Sequence, residues 1–254
     1  MNFCICYHTK DEAAVTVLRE IQKLSLNIPV YAFSDGEHLI FEDGLDQKVK
    51  EDFIIFISKH QAKEHSQTVT VHSIGNFGNA LYGGKEGFLC PASALVQKNL
   101  FLALSEAVKN SPYRCSLEAT HHGPFIEKPS CFLELGSSKE EWQDPEGGKI
   151  LAQALSLFLQ APGKKFTPAI GIGGGHYCTS FTKLQLSSEY AFSYILPNYH
   201  LPFTEHMIHE MIEKSVEKDP LVLVDEKGMG RKEQEQVIAI LEKMGLKYAR
   251  ADQI

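Results

Sequence analysis

The sequence predicts an α/β protein in three layers, with helices on both faces of a mostly parallel, mixed sheet, folded as one domain over 1–254. Three observations lead there. Short apolar runs of strand length alternate with longer segments whose apolar residues recur at helical spacing, the pattern of strand–helix–strand units. Phe53-Ile54-Ile55-Phe56-Ile57 is aromatic or β-branched at every position, as in a strand buried on both faces near the middle of a sheet. Several strand-like runs also end abruptly in polar or glycine-rich residues, where open α/β sheets hold their ligands.

The elements follow in order. Asn2 to Tyr7 reads as the first strand. Thr9-Lys10-Asp11-Glu12 has capping-box form, and Ala14, Val17, Leu18, Ile21 and Leu24 continue it as a helix that stops before Pro29. Val30 to Phe33 is a second strand, with a turn at Asp35-Gly36. The apolar run Phe53 to Ile57 ends in Ser58-Lys59-His60. Thr68 to Ile74 is the next strand, running into Gly75-Asn76-Phe77-Gly78 and then Gly83-Gly84. Ser93 to Lys109 is a long amphipathic helix with Leu95, Leu100, Leu104 and Val108 inward. Strands follow at Cys115 to Ala119 and Cys131 to Leu135.

Ser138-Lys139-Glu140-Glu141 is a second capping box, over which Trp142 is expected to pack. Pro145 and Gly147-Gly148 are expected to interrupt before a helix resumes from Lys149 to Leu159. Pro168 to Ile172 is a strand into the glycine run, and Ala191 to Leu196 another. Thr204 to Glu217 is a helix with Met207, Ile208, Met211 and Ile212 buried. A strand at Leu221 to Val224 and a helix from Lys232 to Met244 complete the chain. Strand order is not encoded in these patterns.

An apolar share of 43% and a charged share of 22% are those of an ordinary globular protein. The formal net charge of −7 excludes coating of nucleic acid by bulk charge, so no DNA partner is expected; a few placed cations would still suffice for phosphate contacts. Cys4, Cys6, Cys90, Cys115, Cys131 and Cys178 show no C-x-x-C spacing and read as reduced, buried thiols. The N-terminus lacks a basic segment, and no apolar stretch approaches the ~20 residues that span a bilayer. A cytoplasmic protein without membrane contact is expected, and a monomer.

The chemistry gathers at strand ends. Glu118-Ala119-Thr120-His121-His122-Gly123-Pro124-Phe125 turns a strand into two adjacent imidazoles, either of which can serve as base, metal ligand or orienting donor. Glu118 is placed to hold a ring nitrogen in one tautomer. Gly173-Gly174-Gly175-His176-Tyr177 can present successive amides to an oxyanion or phosphate, but it is neither G-x-G-x-x-G nor a P-loop. His72 and Asn76 flank Gly75, and Asn offers a donor to an oxyanion or a ribose. Glu205-His206-Met207-Ile208-His209-Glu210 matches neither zincin spacing and reads as a solvated helix face.

Together these blocks resemble the archaeal and plant D-aminoacyl-tRNA deacylases. Ser58-Lys59-His60, Thr70-Val71-His72-Ser73-Ile74-Gly75-Asn76, the E-A-T-H-H-G-P block, Leu133-Glu134-Leu135-Gly136-Ser137 and Gly171-Ile172-Gly173-Gly174-Gly175-His176-Tyr177 stand in that family's order over nearly the whole chain. The resemblance implies a phosphorylase/hydrolase-like fold and a zinc requirement. The implied activity is hydrolysis of the ester between a D-amino acid and the 3′ end of tRNA, including aldehyde-modified D-aminoacyl groups. One departure is Cys178-Thr179-Ser180, where the family pattern calls for Pro and Arg.

On this reading His122 or His176 is the general base, or His121, His122 and His176 hold zinc, with Glu118 orienting an imidazole. Substrate contacts are expected from Ser58, His60, His72, Asn76, Thr120, Gly173, Gly174, Gly175 and Tyr177. His60, His72 and Glu134 are further candidate ligands. Lys183, Lys227, Arg231 and Lys232 are the candidate phosphate contacts on the tRNA. A zinc-dependent amidohydrolase or peptidase acting on a small molecule and a non-catalytic RNA-terminus-binding protein are the alternatives.

Overall fold

The computed structural model describes residues 1–161 and 163–254. Six strands form a first sheet: β1 (Phe3–His8), β2 (Val30–Phe33), β3 (Phe53–Lys59), β4 (Thr68–His72), β5 (Arg114–Leu117) and β6 (Ser130–Leu135), in the order β2-β1-β3-β6-β4-β5. The all-apolar run lies where its composition predicts: β3 pairs in parallel with β1 on one side and β6 on the other. β4 runs antiparallel to β6 and β5 follows β4, so the sheet is mixed.

The remaining strands make a second, parallel sheet. β7 (Thr167–Gly173), β8 (Tyr190–Leu196), β9 (Leu221–Asp225) and β10 (Tyr248–Arg250) lie in the order β10-β9-β7-β8. Where the sequence suggests one sheet there are two. They are joined by a shared core rather than by a strand ladder: Ile5, Phe53 and Leu133 of the first sheet and Ala169, Phe192 and Leu223 of the second belong to one buried apolar cluster. α2 (Ala94–Ala107) lies against β8 as well as against strands of the first sheet.

Local chemistry explains where the helices start. α1 (Glu12–Lys23) is capped by Asp11, not Thr9: Asp11 Oδ1 accepts from the Ala14 amide at 3.0 Å. Its other oxygen accepts from Ser58 Oγ and the Lys59 amide, both at 3.0 Å. A carboxylate has acceptors enough for both tasks, whereas a threonine hydroxyl does not. The Ser138–Glu141 capping box forms as expected over the short α3 (Lys139–Trp142).

α4 (Pro145–Gln160) begins four residues before the predicted start. Pro145 sits in the first turn, where its missing N–H is no loss, and Asp144 caps the helix. Gly147 and Gly148 lie inside it because a Cβ there would strike Leu135 and, at 2.9 Å, Thr16 Cγ2. These glycines let α4 close onto β6 and α1.

α6 (Glu205–Lys214) ends before Glu217, whose carboxylate instead accepts from Ser93 Oγ at 2.5 Å and the Ala94 amide at 2.8 Å, at the start of α2. α7 (Arg231–Lys243) matches its prediction to within a residue, while α5 (Thr179–Ser187) and β10 carry too few periodic apolar residues to be read. Cys115 is partly exposed and the other five cysteines are buried, all of them unpaired. Among the described residues no helix is long and apolar enough to cross a membrane.

Candidate active site

β5 ends at Leu117, one residue before Glu118, and the next five residues become the seam between the two sheets. The Glu118 amide donates to Val71 of β4, the Ala119 amide to His176 of the glycine loop at 2.8 Å, and the Thr120 amide to Ile195 of β8 at 3.0 Å. His121 bridges Ile74, and the His122 carbonyl accepts from Gly75 at 2.9 Å. His122 has φ +46°, a left-handed conformation uncommon in a residue with a side chain. Because β4 runs against β6, the site does not lie at a common carboxyl edge. It lies on one face of the sheet, where His72 stands opposite Phe132 and Thr70 opposite Glu134.

Two glutamates and five histidines converge there. Glu118 is 2% exposed and Glu134 4%. His60 Nδ1 is 2.8 Å from Glu118 Oε1 and 3.7 Å from Glu134 Oε2. His72 Nε2 is 3.8 Å from Glu134 Oε2, and His121 Nε2 and His176 Nε2 are 3.7 and 3.6 Å from Glu118 Oε2. The rings of His72, His121 and His122 sit against one another, with His176 4.8 Å from His121.

Burial and charge divide these groups. Burial would push the His60 imidazole down, but Glu118 and Glu134 outweigh it and raise it to about 11. Burial opposes the charge on His72 also, and Glu134 beside it holds that ring above its ordinary value. Burial would raise Glu118, yet His176 and His60 hold it well below the carboxylate range. Glu134 likewise stays low beside His60 and His72. His121 and His122 are driven the other way by burial and by the charge on His72, His122 to about 4. The site therefore keeps two carboxylates, an imidazolium at His60 and a neutral pair, His121 and His122.

The hydrogen bonds fix tautomers. His72 Nδ1 faces the Ser73 carbonyl at 3.0 Å, His121 Nδ1 the Ala119 carbonyl at 2.8 Å and His122 Nδ1 the Gly123 carbonyl at 2.6 Å. A carbonyl only accepts, so each Nδ1 carries hydrogen and each Nε2 is left to face inward. One ring nitrogen from each of the three lies within 4.8 Å of the others. His72 Nε2 and both oxygens of Glu118 are buried with no aligned hydrogen-bond partner. Imidazoles fixed by backbone bonds with a ring nitrogen of each gathered together are how proteins prepare a divalent cation site, and this donor set suits one. Glu118, His121 and His176 form a second such group sharing His121, so His72 rather than His176 completes the His121–His122 pair.

The glycine loop closes the other side. No protein acceptor takes the amides of Gly174 and Gly175 among the described residues, and Gly175 is exposed. Gly173 is buried against Asp225 and cannot reach a ligand. Tyr177 is exposed at the rim, its hydroxyl 3.2 Å from His60 Nε2.

Other expected contacts are structural. Ser58 Oγ is buried on Asp11. Thr120 is 1% exposed, its hydroxyl 2.6 Å from Ser73 Oγ and accepting from the Ile195 amide at 3.1 Å, so it fastens the seam instead of meeting substrate. Asn76 Nδ2 donates to the Gly83 carbonyl and holds the following loop. Lys183 is exposed on α5, and Lys227, Arg231 and Lys232 lie exposed around the start of α7, with Arg231 tied to Glu235 at 2.9 Å. His206 meets the Gly87 carbonyl and His209 pairs with Glu213 on an exposed face, away from the bowl. Tyr199, whose hydroxyl is 3.3 Å from His176 Nδ1, carries no signal in the sequence. Asn198 brings it there by donating its amide to the Gly174 carbonyl.

Comparison with known proteins places this geometry in a family. A sequence model of D-aminoacyl-tRNA deacylases matches residues 47–249. The D-aminoacyl-tRNA deacylase of Thermococcus onnurineus is 36% identical over 91% of this chain and 90% of its own length. That of Archaeoglobus fulgidus is 35% identical over 82% of this chain and 76% of its own. The crystal structure of AF0625, a conserved protein of unknown function, superposes with a TM-score of 0.91 at 27% identity, covering 100% of this chain and 96% of that one. The seam that joins the E-A-T-H-H block to the glycine loop thus belongs to a member of the D-aminoacyl-tRNA deacylase family.

Proposed function

We propose that the bowl of Glu118, His121, His122, His72 and His176 hydrolyses the ester that joins a D-amino acid to the 3′ end of tRNA, with His176 as the base toward water. One observation carries the assignment of the base. His72, His121 and His122 each turn Nδ1 to a carbonyl that accepts only an N–H, whereas His176 turns Nδ1 to the Tyr199 hydroxyl, which can donate or accept. His176 can therefore gain and lose a proton at Nδ1 without losing that bond, while its Nε2 faces Glu118 at 3.6 Å and its side chain is 35% exposed, within reach of water.

Glu118 stabilises the imidazolium that forms on His176 and holds the ring toward the bowl. The amides of Gly174 and Gly175 are free to take the developing oxyanion. His72, His121 and His122 are the residues that would hold zinc. Bound there, zinc would supply Lewis acidity, enough to bring the pKa of a water toward ~7. The tRNA is met by a few cations, since the chain as a whole carries −7.

Family membership favours this reading over a small-molecule amidohydrolase or a protein that only binds an RNA end. Matched D- and L-aminoacyl-tRNA, incubated with the protein with and without a chelator, test it. Release of the D-amino acid alone is expected, lost with chelation and restored by zinc. Equal hydrolysis of both hands, or of neither, would sink the deacylase reading; full activity in chelator would sink the zinc.

A further inference from the structure

Beside His122 the protein holds up an apolar patch that its own fold does not use. The loop from Gly78 to Gly87 is closed by the Gly87 amide on the Gly78 carbonyl at 3.0 Å. Its tip is pinned to the active-site segment: the Gly123 amide donates to the Tyr82 carbonyl at 3.0 Å, and Asn76 Nδ2 donates to Gly83 at 2.9 Å. Gly83 and Gly123 pack against each other and the Ile40 carbonyl so closely that neither has room for a side chain. On this rigid support Leu81 is 78% exposed and Tyr82 68%, and Phe41, which lies over Gly83, is 55% exposed. Large apolar side chains displayed together and held firmly are a binding surface more often than an accident.

A cation stands on the same loop. Lys85 Nζ is 3.9 Å from the centroid of the Phe88 ring and 5.5 Å from that of Phe125, and no carboxylate pairs with it among the described residues. An exposed aromatic side chain and an unpaired cation carried on one loop are the combination with which proteins hold a single-stranded nucleotide, base on ring and phosphate on charge. The occupant follows from position. The Tyr82 backbone is one hydrogen bond from Gly123, the residue after His122, so the loop that displays its side chain borders the site, and the ester of an aminoacyl-tRNA is carried by the ribose of the terminal adenosine.

We infer that Tyr82, with Phe41 and Leu81, is the platform on which the 3′-terminal adenine base of the tRNA stacks, and that Lys85 meets the phosphate on its 5′ side. This rests on the deacylase reading for the identity of the ligand, but it is read by binding and not by turnover. The probes are two labelled single-stranded RNAs, one ending in CCA and one whose last nucleotide lacks only its adenine base, titrated into the full-length protein and followed by anisotropy.

Base–aromatic stacking of this kind predicts that the wild-type protein prefers the complete end by about tenfold. Tyr82→Ala removes most of that preference, Tyr82→Phe keeps it, and Lys85→Ala weakens both RNAs alike and lowers the salt slope by about one. Equal binding of the two RNAs by wild type, binding of neither, or an undiminished preference in Tyr82→Ala overturns the platform. Failure of the deacylase reading shows elsewhere, as wild-type protein that releases no D-amino acid from tRNA.

Discussion

Replacing Glu118 by glutamine keeps the shape of the side chain and deletes one charge at the centre of the site. In the wild-type protein the His60 imidazolium has Glu118 Oε1 at 2.8 Å and Glu134 Oε2 at 3.7 Å. Removing the nearer partner deletes a Coulomb attraction of about 6 kcal/mol at an effective dielectric of about 20, an upper bound. Buried pairs broken from one side cost about 3–5 kcal/mol. His60 can relieve part of this by giving up its proton, so about 3 kcal/mol is expected. At this chain length that lowers Tm by roughly 10 °C.

The pH dependence has a defined sign. The His60 proton is held to about 11, so its contribution is complete below the ordinary imidazole value of 6.5 and fades as pH climbs through 11. Glu118, held well below 4.5, contributes above that value and loses its contribution in acid. Glu118→Gln therefore flattens both limbs of the Tm–pH curve, and it lowers kcat on D-aminoacyl-tRNA by about a hundredfold or more because His176 loses its carboxylate. Circular-dichroism melts from pH 4 to 10 and single-turnover release of amino acid measure the two effects. A Tm within 2 °C of wild type together with kcat within threefold would refute the charge arrangement assigned to the site.

Four further outcomes are expected. Gly173→Ala places a Cβ against the Asp225 carbonyl at φ +108°, and should cost about 3 kcal/mol or prevent folding. Gly175→Ala, which meets open space, should move Tm by less than about 0.5 kcal/mol equivalent, and equal losses at both positions would contradict the loop conformation. His72→Ala and His122→Ala should each lower zinc bound per chain by tenfold or more in equilibrium dialysis with elemental analysis; retention of zinc would move the site elsewhere. Lys227→Glu should raise KM for tRNA substrates in a salt-dependent way and more than Arg231→Glu, since Arg231 is already paired with Glu235; unchanged KM in both removes this patch. Thr120→Val should destabilise by about 1–3 kcal/mol by stranding the Ile195 amide and Ser73, while Thr120→Ser keeps both stability and KM, which steady-state kinetics and melts together decide.

How much of this is legible in the sequence depends on the range of the physics involved. The position of β3 is local: five apolar β-formers in a row can be buried on both faces only inside a sheet. The Ser138–Glu141 box is local as well. Asp11 over Thr9 is not, because the choice turns on Ser58 and Lys59, more than forty residues away, needing the same carboxylate. Gly147 and Gly148 look like an interruption until α1 and β6 arrive against them. The reversal of β4 and β5 leaves no mark on their own residues, yet it decides that His72 and Glu134 share a face. Tyr199 and Tyr82 are equally silent, being placed by backbone bonds of Asn198 and Gly123 to other loops.

The two sequence blocks that mark the site are also bonded to each other, and this explains why neither is sufficient alone. Ala119 donates to the carbonyl of His176, so the E-A-T-H-H segment sets the height of the glycine loop. Thr120 in turn is held by β8, the strand after that loop, through both its amide and its hydroxyl. Glu118 and His121 on one side of this stitch, and His176 on the other, can approach within 3.7 Å only because the backbone between them is shared. Burying two carboxylates and four or five imidazoles opposes folding unless each finds a partner. Here one of Glu118's partners, His176, comes from the opposite sheet, so the polar site and the joining of the sheets support one another. A substitution that loosens the seam should therefore lower activity and stability together, whereas one on the rim, such as Tyr82, should separate them.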